Sequence, residues 1–172
     1  RFEAAPRFDR RELESLLDAW TQRIPVGDEE HRRPLVDVPR TLFDAPLSTN
    51  ELERTRTRLV PRHLGTLGGG NHFVELDRAH DGTTWLLVHT GSRGLGGAIG
   101  HHHKRIAGPL GALSLDAPDG RAFWNDVSWA LDFAKANRDA IMTQALAAAC
   151  EVLGLQPDDG PRLDLHHNFA QQ

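Results

Sequence analysis

Cysteine is nearly missing from this 172-residue sequence: Cys150 stands alone, so no disulfide can form within the chain, which fits a reducing compartment. Long apolar runs are missing too. No stretch approaches the roughly 18 to 20 consecutive apolar residues that a helix needs to span a bilayer, and the amino end has no basic-then-apolar signal segment. A cytoplasmic protein without membrane contact is the expectation. The net charge of −4 excludes a global attraction to nucleic acid or anionic membrane, so any polyanion site must be local. The common nucleotide and zinc motifs are absent as well. Ile99 occupies the third glycine position of a G-x-G-x-x-G pattern in "GLGGAIG", and no P-loop, H-E-x-x-H or C-x-x-C occurs.

What is present describes an ordinary globular chain, with 39% hydrophobic and 26% charged residues and enough length for one domain with a real core. A single domain over residues 1–172 is the expectation. The sequence starts at Arg1 without a methionine and stops shortly after "LDLHHNFA", which reads as the central portion of something longer. In "FDRRELESLLDAW", Asp9 is placed to cap a helix with Glu12 three residues on, and Leu13, Leu16, Leu17 and Trp20 share a face. A second helix is expected to open at Ser48, with Glu51 completing a capping box. "HFVEL" and "TTWLLVH" read as a hairpin around the turn "DRAHDG". "AIGHHHKRIAG" reads as a third helix, Ala122 to Gly154 as a long fourth, and "PRLDLHHNFA" as a short strand. The fold class is therefore α+β, a mixed sheet with flanking helices.

"LGTLGGGNHFVEL" sets Gly68, Gly69 and Gly70 directly before Asn71 and His72. Such a run costs conformational entropy and implies positive φ or a close approach by a ligand. Ten histidines occur, and three of them, His72, His89 and His167, sit at edges of predicted strands beside small or polar turns. Side chains there are fixed by the sheet while the backbone stays open, so three imidazoles could converge on one divalent ion such as manganese, zinc, iron or nickel. In "HTGSRGLG", successive backbone N–H groups ahead of a helix can form an anion nest, with Ser92 adding a hydroxyl and Arg93 a bidentate fork. A metal beside a phosphate nest means phosphoryl or nucleotidyl chemistry.

"LGTLGGGNHFVEL", "VHTGSRGLG", "FAKANR" and "LDLHHNFA", in this order, resemble the RtcB family of RNA-splicing ligases, from about Ile24 onward. The resemblance implies an RtcB-like fold, incomplete at both ends. It also implies an enzyme that joins RNA 3′-phosphate or 2′,3′-cyclic phosphate ends to 5′-hydroxyl ends, using GTP and manganese through a histidine-bound GMP, in tRNA splicing or RNA repair. Carried over, it makes His72, His89 and His167 manganese ligands, and Asn71, His72, Phe73, Val74, Glu75, His167 and Asn168 the matching part of the guanylate site. Arg93 would face the RNA terminal phosphate. An activating protein of the archease type is a further expected partner. The family's upstream Asp-x-x-Cys metal motif and downstream nucleophilic histidine have no counterpart among these residues, and Cys150, in an alanine-rich helix, is expected to be core instead. The alternative is a non-catalytic metal- or nucleotide-binding remnant of such a ligase.

The remaining features have plainer readings. His101, His102 and His103 are adjacent on a helix, point in different directions, and are expected at a solvated surface. Arg54, Arg56, Arg58 and Arg62 fit either RNA phosphates or a charged helix face. Trp124, Trp129 and Phe133 have helical core spacing.

Overall fold

The computed structural model describes residues 1–2, 7–34, 38–160 and 162–166. Helices α1 (Arg10–Arg23) and α2 (Asn50–His63) precede strands β1 (Phe73–Arg78) and β2 (Thr84–His89), and helices α3 (Leu95–Ala107) and α4 (Pro118–Leu153) follow. The class is α+β, and the sheet among the described residues is the antiparallel pair β1–β2. Two compact units form: Arg1–Glu30, Gly65–Thr90 and Asn137–Leu165 make the first, and His31–Leu64, Gly91–Ala136 and His166–Gln172 the second.

In the first unit, α1 begins where its sequence requires. Asp9 accepts the Glu12 N–H at 2.8 Å and the Glu12 carboxylate accepts the Asp9 N–H at 2.7 Å, a complete capping box that satisfies two otherwise orphaned donors. Leu16 is buried, and Trp20 packs on the core while its indole N–H reaches the Ala145 carbonyl at 3.0 Å. Leu13 and Leu17, predicted for the same face, stay 45% and 59% exposed, so only part of that stripe is covered. The second half of α4 presents Ile141, Ala145, Ala148 and Ala149 to this core, and the alanines let neighbouring elements approach closely. Cys150 packs against the cluster, partly buried.

The hairpin obeys the two-residue period of a strand. Register pairs Val74 with Val88 and Leu76 with Leu86, and these four face the core. The opposite face carries the Phe73–His89 and Glu75–Leu87 pairs. Residues 162–166, expected as part of a strand, do not form one; Pro157 makes an isolated bridge to Phe2 instead.

The second unit holds α2, α3 and the first half of α4. Trp129 and Phe133 are buried with rings stacked 5.6 Å apart, and the Trp129 indole donates to the Leu42 carbonyl at 2.8 Å. Helix α2 opens one residue later than Ser48: Thr49 is its cap and accepts from the Leu52 N–H at 3.2 Å. Ser48 is taken by another partner, donating through its N–H (2.9 Å) and its hydroxyl to the Asp126 carboxylate. Glu51 therefore completes no capping box with it, and Glu53 accepts the nearby Leu47 N–H at 2.6 Å.

Candidate metal and nucleotide site

The loop ahead of β1 is built around its glycines. Gly68 and Gly70 adopt φ of 93° and 82°, in the left-handed region where a side chain would be strained. Leu67 donates its N–H to the Pro25 carbonyl at 2.9 Å, and Gly68 pairs with Val26 in a parallel bridge. The loop is thus pinned along one side and delivers Asn71, exposed, and His72, half-buried, to the start of β1.

His89, the last residue of β2, faces away from the core beside them. Its ring lies 5.8 Å from that of His72 and stacks on Phe73 at 5.3 Å with the planes 19° apart. Two imidazoles at this separation can share one ion between them, and imidazole is a common ligand of first-row divalent metals. The third predicted ligand, His167, and Asn168 lie outside the described residues. Among the described residues no group of three His, Cys, Asp or Glu side chains assembles. The donors present fit a first-row divalent cation as a partial site.

The rest of the predicted guanylate segment divides by strand alternation. Phe73 is 40% exposed and Glu75 is exposed, on the His89 face. Val74 is committed to the core, which leaves its backbone for any ligand contact. Arg93 belongs to the second unit, in the turn that opens α3. Its φ of 49° is the sole positive value recorded for a non-glycine residue among the described residues. Gly94, the N-cap, follows at φ 83°, and the Ser92 hydroxyl accepts the Gly96 N–H of the first turn at 3.0 Å. A strained non-glycine residue at a helix N-terminus is the kind of outlier found where backbone serves a ligand.

Several buried polar residues escaped the sequence reading, His103, Asn137 and Arg56 among them. His103, expected at a solvated surface, is 2% exposed, its Nε2 lying 2.7 Å from an Asp126 carboxylate oxygen. Of its neighbours, His101 is exposed and His102 half-buried, as the turning of a helix requires. Asn137, in "FAKANR", is fully buried and hydrogen-bonded to the loop ahead of His72. A signal existed for it: Phe133, Asn137 and Ile141 are spaced four apart, and an amide inside an apolar stripe must find partners. Arg56 is 6% exposed, pairs with Glu53 at 2.6 Å, donates to the Ala45 carbonyl at 2.6 Å and lies over the Phe43 and Trp129 rings.

Fold and site together define an α+β protein with a helix-flanked antiparallel hairpin, two histidines at one end of that hairpin and a glycine-built loop leading to them. The chain belongs to the RtcB family: the family model described as "tRNA-splicing ligase RtcB" matches residues 40–172. It is 36% identical over 129 residues to the RNA-splicing ligase RtcB of Escherichia coli K12, covering 64% of this chain and 32% of that protein. It is 31% identical over 193 residues to the RNA-splicing ligase RtcB of Mycobacterium tuberculosis H37Rv, covering 95% and 44%. The tRNA-splicing ligase RtcB of Methanopyrus kandleri is 27% identical over 166 residues, covering 74% and 16%. The chain thus spans less than half the length of these relatives. No helix among the described residues is long and apolar enough to cross a membrane.

Proposed function

We propose that this chain carries part of the domain of a GTP- and manganese-dependent RNA ligase, cytoplasmic and acting in tRNA splicing or RNA repair. It joins RNA ends bearing a 3′-phosphate or 2′,3′-cyclic phosphate to 5′-hydroxyl ends, by way of GMP carried on a histidine outside this chain. An archease-type protein is its proposed activator. The observation that supports the reading is the His72–His89 pair, 5.8 Å apart beside the Gly68–Gly70 loop, in a chain of the RtcB family.

Each residue then has a stated task. His72 and His89, with His167, offer imidazole nitrogens to manganese, which when bound offsets the charge of the nucleotide phosphates. Asn71 supplies an exposed amide, Phe73 and Glu75 lie on the open face of the hairpin, Val74 offers its backbone, and Asn168 completes the guanylate contacts. Arg93 holds the terminal phosphate of the RNA through its planar fork.

The test is manganese-dependent GTP binding by the 172-residue chain, followed by equilibrium dialysis. Binding that requires manganese and weakens at least about tenfold, roughly 1.4 kcal/mol, in His72→Ala and in His89→Ala supports the reading. Binding that ignores manganese, or survives both substitutions, overturns it.

A further inference from the structure

Helix α2 sorts its four arginines into two kinds. Arg56 is buried and bound to Glu53, Leu42 and Ala45, a structural guanidinium. Arg54, Arg58 and Arg62 are exposed at positions i, i+4 and i+8. Four residues of helix advance about 6 Å and return nearly to the same face, so these three form one row about 12 Å long.

Three features make this row more than a solvated face. Glu53, the acid that lines the same face, is already engaged by Arg56 and the Leu47 N–H. Among the described residues, neither Arg54 nor Arg58 has a hydrogen-bond or ion-pair partner. A surface concavity of about 500 Å³ lies along the same face, lined by Asn50, Glu53, Arg54, Thr57 and Arg58. A chain of net charge −4 that leaves Arg54 and Arg58 uncompensated carries a local polyanion footprint.

We propose that the exposed face of α2 is a docking ridge for the sugar–phosphate backbone of an RNA strand; this rests on the RNA-joining function proposed above. The row's spacing of about 6 Å lets neighbouring arginines meet successive phosphates along one strand. Guanidinium forks engage phosphate oxygens in pairs, and such contacts position a strand without reading its bases. The ridge is therefore indifferent to RNA sequence and sensitive to salt.

The test uses fluorescence anisotropy with a labelled 20-nucleotide RNA carrying a 3′-phosphate, titrated with the chain over a range of KCl concentrations. Arg54→Gln/Arg58→Gln and Arg54→Glu/Arg58→Glu are compared with the original chain, with circular dichroism melts as the fold control. The glutamine pair is expected to lower the slope of log K against log salt by about 1.4, from about 0.7 per lost phosphate contact. The glutamate pair is expected to weaken binding at least tenfold, equally for RNAs of different sequence. Unchanged affinity and slope in both variants overturn the ridge, as does an original chain that binds no RNA at 50 mM KCl. Loss of binding to phosphatidylserine vesicles without loss of RNA binding assigns the row to a membrane and also overturns it. His72→Ala is expected to keep the salt slope, so a failure of the metal-site reading is distinguishable from a failure of the ridge.

Discussion

The Asn137 side chain accepts the Gly65 N–H at 2.7 Å and donates to the Thr66 carbonyl at 3.1 Å, tying the middle of α4 to the loop that delivers His72. Thr90, the residue after His89, closes the arrangement: its hydroxyl donates to the Leu67 carbonyl at 2.7 Å and lies 3.5 Å from the Asn137 amide nitrogen. One buried amide therefore fixes the backbone on the approach to one histidine and at the exit from the other. Asn137→Ala and Asn137→Leu are both expected to cost at least about 2 kcal/mol, because each leaves the buried Gly65 N–H and Thr66 carbonyl without this partner. Urea unfolding checks this through the midpoint at constant slope. A loss under about 0.5 kcal/mol in both variants would show that water replaces the amide.

Local signals made much of this architecture readable. The Asp9 capping box, the alternation of β1 and β2 and the long helical pattern of α4 act over a few residues and reappear in the fold, with α4 opening at Pro118, four residues before the expected Ala122. The pairing of His72 with His89 was legible for the same reason, since both flank strands of one hairpin. What sequence could not supply was the phase of one helix against another. Arg54, Arg56 and Arg58 look alike in a row, and only contact with Leu42, Phe43 and Trp129 draws Arg56 inward. Three consecutive histidines carry no apolar contrast, so nothing local marks His103 as the one that meets Asp126. Ser48 looks like a cap until Asp126, 78 residues away, claims it.

Arg93 separates backbone strain from side-chain function. At φ 49° most residues are disfavoured by about 1–2 kcal/mol, whereas asparagine tolerates the left-handed region. Arg93→Asn is therefore expected to be more stable than Arg93→Ala by up to about 1 kcal/mol. Both are expected to lose affinity for an RNA 3′-phosphate to a similar degree, because both lack the guanidinium. Thermal melts and binding to a 3′-phosphorylated dinucleotide measure the two effects separately. Equal melting temperatures would refute strain at this residue; retained phosphate binding would remove Arg93 from the site.

The hairpin turn titrates. The Thr83 hydroxyl at 2.6 Å and then the Thr83 N–H at 2.9 Å donate to the Asp81 carboxylate and hold its pKa below the ordinary 3.8. A carboxylate whose folded pKa is depressed contributes stability that is present above its unfolded value and lost as pH falls through the folded one. Asp81→Ala is accordingly expected to melt lower than the original chain at pH 7, and the difference is expected to shrink as pH falls below 3.8. Melting curves from pH 7 to pH 2.5 follow it. A difference that stays constant or widens in acid would show that the ionised turn contributes nothing.

Gly96 and Ser92 make the sharpest steric test in the second unit. A Cβ on Gly96 would meet the Ser92 Oγ at 2.4 Å but the Ser92 Cβ only at 3.6 Å, an ordinary contact. Alanine is otherwise the better helix former, by about 1 kcal/mol in a helix interior. Gly96→Ala alone is therefore expected to destabilise, since the hydroxyl must move and release the Gly96 N–H that it accepts at 3.0 Å. Ser92→Ala alone is expected to cost about 0.5–1.5 kcal/mol through the lost hydrogen bond to the Gly96 N–H. Combined, the two changes remove the clash and keep the alanine propensity, so the double variant should be more stable than the sum of the single losses predicts. A double-mutant cycle in urea reads the coupling directly. Strict additivity would mean that Ser92 already turns away from the helix in solution, and the Gly96 N–H would then lack this hydrogen bond.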